Sequence, residues 1–235
     1  MTTLANRWIL ITGASSGLGK AMAMEFAAAG AHLILNARNA ERLGQVQEQA
    51  GQSGVECLTV VGDVTEGAVR DSLVKLGLDK ELDILINNAG IVSIEPHEEI
   101  APERIEYLIA LNLTAPILLT QAFLPMFKAR GSGTLVNINS GGGRNPGLHH
   151  ATYCASKYGL RGFAESLRLE VKGQGIRILE IFPGKMATEL FVNAGREMDT
   201  AKFIPPEEVA AALLNLLQMS PKCAPAELVI DRMSK

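Results

Sequence analysis

Cysteine is scarce in this 235-residue chain, and the three that occur, Cys57, Cys154 and Cys223, lie far apart in the sequence. An odd and dispersed set builds no disulfide framework, and it lacks the paired spacing of a structural zinc site. We therefore expect reduced thiols in a cytoplasmic protein, and we expect no bound metal.

Charge of one sign and long apolar runs are scarce as well. The formal net charge is −3 and no segment is rich in lysine and arginine, so we expect no nucleic-acid partner. No apolar run reaches the roughly 20 residues that a membrane-spanning helix needs. The apolar run at residues 8–11 is too short for a signal peptide. We accordingly expect neither a membrane contact nor a secretory signal.

Apolar strand-like segments alternate with amphipathic helical stretches along the whole chain. Most of the strands are continuously apolar, which is typical of a parallel sheet covered by helices on both faces. The pattern predicts one α/β domain over residues 1–235, with a doubly wound, mostly parallel sheet of about seven strands. The expected strands are 7–12, 32–37, 55–61, 82–86, 134–139, 176–182 and 227–230, and the expected helices are 17–29, 40–50, 66–76, 102–129, 151–172 and 206–219.

The longest irregular segment, residues 184–205, follows the sixth strand. In an open α/β sheet the ligand binds beyond the carboxyl ends of the strands, so we expect this segment to be a substrate lid. Residues 142–150 are expected to form another wall of the pocket. The lid carries the apolar side chains Met186, Leu190, Phe191 and Met198, which predict a partly apolar pocket.

A glycine-rich turn joins the first strand to the first helix, where residues 12–19 read Thr-Gly-Ala-Ser-Ser-Gly-Leu-Gly. Gly13 permits a tight turn, Gly17 lets the backbone approach a pyrophosphate, and Gly19 lets the helix pack near the strand. The helix N-terminus offers free N–H groups to the phosphates. A structural strand-to-helix turn is the alternative. The predicted dinucleotide contacts are Gly13, Ser15, Ser16, Gly17, Leu18 and Gly19.

The end of the second strand indicates which nicotinamide cofactor binds. NAD enzymes usually place a carboxylate here to accept hydrogen bonds from the ribose hydroxyls, and Ala37 cannot do so. The next residue, Arg38, has a guanidinium suited to the oxygens of a 2′-phosphate. The sequence therefore favours NADP(H) over NAD(H), with an exposed loop arginine as the alternative.

Tyr153 and Lys157 are four residues apart in a helical stretch, so they lie on one face of the helix. A nearby ammonium favours the ionised form of a phenol, whose ordinary pKa is about 10. We expect Tyr153 to act as general acid and base, and Lys157 to lower its pKa and to hold the nicotinamide ribose hydroxyls, so that both residues also contact the cofactor. Ser140 ends the fifth strand and is expected to donate to the substrate oxygen. A surface Tyr–Lys pair and a loop serine are the alternatives.

These motifs together resemble the short-chain dehydrogenase/reductase family. Its fingerprint Thr-Gly-x3-Gly-x-Gly matches residues 12–19, and its Asn-Asn-Ala-Gly motif matches residues 87–90. Its catalytic serine precedes the Tyr-x3-Lys pair by thirteen residues, as Ser140 precedes Tyr153. The resemblance covers nearly the whole chain and implies a Rossmann fold with NADP preference. At Asn139 this chain departs from the family, which often has a second serine there.

The resemblance implies further roles. Asp63 would hydrogen-bond the adenine amino group and Val64 would pack on the ring, with a turn or N-cap aspartate as the alternative. Asn112 would hold a water that relays protons from Lys157, with a helix-interior asparagine as the alternative. Asn87 is expected to tie strands together. The remaining implied cofactor contacts, which are also ordinary turn residues, are Asn88, Ala89, Gly90, Pro183, Gly184 and Thr188.

The sequence thus predicts an NADP(H)-dependent oxidoreductase that transfers a hydride between nicotinamide and a small carbonyl or secondary alcohol substrate. Two alternatives stay open: a non-catalytic NADP-binding sensor or scaffold, and a Rossmann-like methyltransferase. The substrate is not readable, since the resemblance allows 3-oxoacyl thioesters, sugars, steroids or small ketones. It also implies a homodimer or homotetramer formed through helices 102–129 and 151–172.

Overall fold

A seven-stranded sheet forms the centre of the protein in a computed structural model that describes residues 3–190, 199–220 and 222–232. The strands are β1 Trp8–Thr12, β2 His32–Ala37, β3 Cys57–Val61, β4 Ile84–Asn87, β5 Gly133–Ile138, β6 Ile176–Pro183 and β7 Glu227–Ile230. They pair in the order β3-β2-β1-β4-β5-β6-β7, and every pair is parallel. The predicted single α/β domain with a seven-stranded parallel sheet is confirmed.

The helices cover both faces of the sheet. They are α1 Gly17–Ala28, α2 Ala40–Gly51, α3 Gly67–Asp79, α4 Pro102–Ile109, α5 Ala115–Arg130, α6 Ala151–Glu170 and α7 Pro206–Leu217. On one face Met22 and Phe26 of α1 pack with Leu43 of α2 and Leu213 of α7. The other face buries Leu73 and Phe127 with other residues of α3, α5 and α6. Each such side chain contributes roughly 1.5–3 kcal/mol when it leaves water.

The strand order reverses between β1 and β4. The chain runs outward from β1 through β2 to β3, then returns to lay β4 on the opposite side of β1. The chain that leaves β1 leads to β2 on one side, whereas the chain that leaves β4 leads to β5 on the other. The gap between these two connections forms a crevice at the carboxyl ends of β1 and β4, where ligands bind in such sheets.

Several expected boundaries shift by one to three residues in the structure, among them the starts of two strands. The third strand begins at Cys57 rather than residue 55, and the turn before it contains Gly54 in the left-handed region, with φ +78. The fourth strand begins at Ile84 rather than residue 82, directly after Asp83, whose carboxylate accepts from the backbone N–H of Trp8.

The expected long helix over residues 102–129 forms, but its middle is not α-helical. Residues Ala110–Thr114 make a π-helical turn, in which the N–H of Ala115 donates to the carbonyl of Ala110. Pro116 has no N–H and cannot donate to the carbonyl of Asn112, which favours this wider turn. The π-turn contains Asn112, one of the predicted site residues.

The stretch Pro102–Arg130 is long and apolar enough to cross a membrane by length and composition alone, a feature that the sequence expectation overlooked. Its charged residues gather at the two ends and leave the middle apolar. Leu119, Phe123 and Phe127 on one face are buried against the sheet, as in a core helix of a globular protein.

Two helical glycines test how tightly α3 and α5 pack. A Cβ at Gly77 of α3 would lie 2.4 Å from the ring of the buried Phe123, so Gly77→Ala is expected to lower the free energy of unfolding by ~1–3 kcal/mol. A Cβ at Gly44 of α2 would meet no atom within 4 Å, so Gly44→Ala should raise the free energy of unfolding by ~0.5–1 kcal/mol. Denaturant unfolding measures both, and changes of the same sign in the two variants would refute this packing.

Candidate functional site

A cavity of about 590 Å³ lies at the carboxyl ends of β1, β4, β5 and β6. This is the crevice at the reversal of strand order. Its walls come from the glycine turn, the segments after β4, β5 and β6, and the first turns of α6. The predicted site residues in these walls are Ser16, Gly17, Leu18, Gly19, Asn88, Ala89, Gly90, Ser140, Tyr153, Lys157, Pro183, Gly184 and Thr188.

The glycine turn has the expected shape of a phosphate cradle. Gly13 and Gly17 adopt left-handed conformations, with φ +66 and +51. A Cβ at Gly19 would lie only 2.2 Å from the carbonyl oxygen of Gly13, so no other residue fits there. Helix α1 begins at Gly17 without a side-chain cap, which leaves its first N–H groups to a ligand. The turn therefore fits a nucleotide pyrophosphate at a helix N-terminus.

Thr12 and Asn88 join the ends of β1 and β4 beneath the cradle. The buried Thr12 hydroxyl accepts from the backbone N–H groups of Asn88 and Ala89, both at 3.0 Å. The Asn88 amide donates to the carbonyl of Thr12 at 2.8 Å. Gly13 does not line the cavity, but a Cβ there would lie 2.9 Å from the Cα of Ala89. The cradle and the segment after β4 are therefore held as one unit.

Ser140, Tyr153 and Lys157 converge on one wall of the cavity. Tyr153 and Lys157 lie one turn apart on α6, and their exposed fractions are only 7% and 5%. The Ser140 hydroxyl accepts from the N–H of Gly142 at 3.1 Å, and Ser140 lies near enough to Tyr153 to lower the pKa of the phenol. The Lys157 ammonium donates to the carbonyl of Ile138 at 2.8 Å. The predicted grouping of these three side chains is present.

The protonation of this group differs from the expectation that Lys157 lowers the pKa of Tyr153. Burial raises the pKa of Tyr153 to about 12, and the hydrogen bond from Ser140 offsets this only in part. Burial lowers the pKa of Lys157 to about 8, while the carboxylate of Glu180 acts in the opposite direction. At neutral pH the structure thus holds a protonated phenol beside an ammonium.

Asn112 has a bracing role in this structure. Its amide donates to the carbonyl of Ile91 at 2.9 Å and to the hydroxyl of Ser156 at 3.2 Å, and its oxygen accepts from the N–H of Ile91 at 3.0 Å. The side chain is fully buried and lies against Gly90. It therefore fixes the segment after β4 beside α6.

Arg38 and Asp63 lie outside this cavity, at the carboxyl ends of β2 and β3, and Tyr107 of α4 joins them. The Tyr107 hydroxyl donates to Asp63 at 2.7 Å and accepts from Arg38 at 2.9 Å. Asp63 also accepts from the N–H and hydroxyl of Thr65, a turn contact that is compatible with the predicted role toward adenine. Val64 is buried. The Arg38 side chain stays 66% exposed and accessible to a ligand.

The lid segment is described only in part. Met186 and Leu190 line the cavity, and Met186 forms a bridge with Ile204 across the lid. Phe191 and Met198 lie outside the described residues. His150 lines the facing wall with Gly142 and Asn145, as expected of residues 142–150, and burial followed by the charge of Lys185 lowers the pKa of His150.

Residues 7–199 match a family model described as short chain dehydrogenase. The chain belongs to the short-chain dehydrogenase/reductase family.

The relatives that this chain resembles within the family differ in length and in the activity that their names describe. The chain is 34% identical to a 3-oxoacyl-[acyl-carrier-protein] reductase of Synechocystis, over 91% of its own length and 90% of the relative. It is 32% identical to glycine betaine reductase ATRR of Emericella nidulans, and covers 97% of itself but only 19% of that much longer protein. A short-chain dehydrogenase of Sphingobium yanoikuyae, solved in complex with NADPH, superposes with a TM-score of 0.88 at 32% identity, covering 95% and 87% of the two chains.

Two residues near this short-chain dehydrogenase/reductase site escaped the sequence interpretation. Tyr107 belongs to no motif, and its only signal is that it is one of three tyrosines in the chain. Glu180 is the one carboxylate in β6, Ile-Arg-Ile-Leu-Glu-Ile-Phe, where only Arg177 is also charged, and an acidic residue among buried apolar ones is an unusual feature that the sequence does show. Within the described ranges no three His, Cys, Asp or Glu side chains are placed to hold a metal ion.

The hydroxyl of Tyr107 is expected to control the ionisation of Asp63. Although burial acts to raise it, hydrogen bonds from Tyr107 and Thr65 lower the pKa of Asp63. Tyr107→Phe should therefore raise that pKa toward its ordinary value, which an NMR titration of the carboxyl carbon measures. Tyr158→Phe is the matched control, because the Tyr158 hydroxyl donates to the carbonyl of Arg144 instead. Equal titration curves in wild type and Tyr107→Phe would contradict this bond.

Proposed function

We propose that this protein is an NADP(H)-dependent carbonyl reductase that also oxidises the corresponding secondary alcohols. The observation that carries the proposal is the buried grouping of Ser140, Tyr153 and Lys157 on the wall of the cavity. Two hydroxyls on one cavity wall, with a buried lysine one helical turn from the phenol, are suited to protonating an oxygen that gains negative charge.

Several observations support NADP(H) as the cofactor, which when bound supplies or accepts the hydride. The glycine cradle at Gly13, Gly17 and Gly19 would hold the pyrophosphate, and Ser15, Ser16 and Leu18 belong to the same turn. Arg38 is exposed and would pair with the 2′-phosphate. The related Sphingobium yanoikuyae enzyme was solved with NADPH. Asp63 and Val64 would hold the adenine, and Asn88, Ala89, Gly90, Pro183, Gly184 and Thr188 would line the nicotinamide half.

In reduction Tyr153 would give its proton to the carbonyl oxygen of the substrate. Burial raises the pKa of Tyr153 to about 12, so the phenol carries its proton at every physiological pH. Ser140 would donate a hydrogen bond to the same oxygen as its negative charge grows. Lys157, with a pKa of about 8, is mostly an ammonium at neutral pH and would stabilise the phenolate that remains. At neutral pH Tyr153 is therefore in the protonated form that carbonyl reduction requires.

The remaining walls indicate the kind of substrate. Val92, Ile94 and Met186 give the cavity an apolar side, and His150 and Lys185 give it a polar side near the mouth. We therefore propose a partly apolar aldehyde, ketone or oxoacyl compound, in either direction of the reaction. We also propose a homodimer or homotetramer, for which α6 offers the exposed Tyr158 and Leu169.

Removing the phenolic hydroxyl tests the proton donor. Tyr153→Phe keeps the ring and is expected to lower kcat ~10²–10⁴-fold or more, since it removes a general acid, while the Kd for NADPH stays within ~3-fold. Turnover is followed by NADPH absorbance with a panel of aldehydes, ketones and acyl thioesters, and binding by calorimetry. Tyr158→Phe, one turn further along α6, is the control and should keep full activity. Unchanged kcat in Tyr153→Phe would refute the assignment, and NADPH binding without turnover of any substrate would favour a sensor or scaffold.

Removing the guanidinium of Arg38 tests the choice of cofactor. Arg38→Ala is expected to weaken NADPH binding ~10–100-fold, because charge-assisted hydrogen bonds to the 2′-phosphate are lost, and NADH binding less than ~3-fold. Arg7→Ala is the matched control, since Arg7 precedes β1 at the amino ends of the strands, away from the cavity, and pairs with Asp83. Calorimetry with both cofactors measures the Kd values. An equal loss for NADPH and NADH would contradict the 2′-phosphate contact.

A further inference from the structure

A carboxylate is buried directly behind the catalytic wall. Glu180 of β6 has no exposed surface. One of its oxygens accepts from the Asn139 amide at 3.0 Å, while the other has no hydrogen-bond partner and lies 3.9 Å from the guanidinium of Arg168. An incompletely paired carboxylate is unfavourable in such a place, so its presence calls for a reason beyond packing.

Asn139 links this carboxylate to two of the proposed catalytic residues. Its amide also donates to the backbone carbonyl of Lys157 at 3.1 Å, and its oxygen accepts from the backbone N–H of Ser140 at 2.9 Å. A Cβ at Gly143 would lie 2.2 Å from the same oxygen, so the glycine leaves space for the asparagine. One side chain thus connects Glu180 with the backbone of both Ser140 and Lys157, which a serine at this position is too short to do.

The charged groups around Glu180 lie on α6, on β7 and in the segment before α6. Helix α6 carries the cations Lys157 and Arg168 and the acidic Glu165. On β7 the acidic Glu227 pairs with Arg161 of α6 and with Arg144 of the segment before α6. Burial raises the pKa of Glu180 to about 7, while Asn139 and Arg168 act to lower it. Its carboxylate in turn raises the pKa of Lys157, against the effect of burial. Asn139 thus lies between the carboxylate of Glu180 and the backbone of Lys157, and binds both.

We propose that Asn139 and Glu180 form a positioning pair, in which Asn139 fixes Ser140 relative to Lys157 and Glu180 supplies the buried negative charge that keeps Lys157 protonated. The placement of the two residues is independent of the reaction, whereas their effect on turnover rests on the proposed function. Neither residue is expected to touch the reacting atoms. They act through Ser140 and Lys157.

Glu180→Gln isolates the charge, because a glutamine oxygen still accepts from Asn139. The Lys157 ionisation is followed in the cofactor-free protein by NMR of ¹³C-labelled lysine side chains, and the resonance is assigned by its loss in Lys157→Met. We expect it to titrate ~1 pH unit lower in Glu180→Gln than in wild type. Glu165→Gln, which removes a more exposed carboxylate from α6, should leave the titration in place. An unchanged Lys157 titration in Glu180→Gln would overturn the proposal.

Wild-type protein alone also tests the coupling, should the variant fail to fold. The Lys157 resonance should show a smaller second step near pH 7, where Glu180 takes up its proton, and a single-step titration would contradict the proposal.

The pH dependence of stability gives a further test. Because the pKa of Glu180 is raised from 4.5 to about 7, the folded state binds more protons in that window and loses stability as pH rises through it. The Tm of Glu180→Gln relative to wild type should therefore increase between pH 5 and 8, and a constant difference would contradict the buried charge.

Activity separates this proposal from the proposed function. The alkaline limb of kcat in carbonyl reduction should move to lower pH in Glu180→Gln by the same ~1 unit, with KM for NADPH within ~2-fold. Asn139→Ser should lower kcat, but it should shift the alkaline limb less than Glu180→Gln does, because the carboxylate of Glu180 remains. A shifted Lys157 titration without carbonyl turnover in wild type would refute the proposed function and keep the positioning pair. Turnover with an unshifted pH profile would refute the pair.

Discussion

The buried ammonium of Lys157 is the charge around which the site is arranged. It is 5% exposed, donates to the carbonyl of Ile138 at 2.8 Å, and has its pKa lowered to about 8 by burial. A cation in such a place needs compensation from the surrounding fold. The end of β5 supplies the carbonyl, β6 supplies the carboxylate of Glu180, and α6 sets the distance to Tyr153. A group that titrates near neutrality at a cavity wall is suited to proton chemistry.

The sheet topology determines which groups can meet at this cation. Because the strand order reverses at β1 and β4, the ends of these strands open a crevice, and β5 and β6 extend its floor toward the catalytic wall. Thr12 and Asn88 lock the two strand ends together by buried hydrogen bonds. The π-turn at Ala110–Thr114 directs Asn112 at the backbone of Ile91, which ties the segment after β4 to this helical stretch. Hydrogen bonds therefore connect both the glycine cradle and this helical stretch to the segment after β4.

Much of this was predictable from local sequence. Apolar runs separated by helical stretches predicted the parallel sheet, since both faces of each strand are buried. The glycine turn and the pair Tyr153 and Lys157 were predictable because each depends on the spacing of neighbours within one element. The convergence of Arg38, Asp63 and Tyr107 was not, since three separate segments contribute to it. Spacing also predicted that Tyr153 and Lys157 are adjacent, but not their burial, and burial reversed the expected shift in the pKa of Tyr153.

Proton transfer at this site depends on Tyr153 being the phenol whose ionisation its surroundings control. An ultraviolet difference titration of the three tyrosines, with and without NADP⁺, measures that ionisation, because the oxidised nicotinamide brings a positive charge to the cavity. One tyrosine should ionise at lower pH when NADP⁺ is bound, and this change should disappear in Tyr153→Phe. Superimposable curves with and without NADP⁺, or a shift that persists in Tyr153→Phe, would contradict this role of Tyr153.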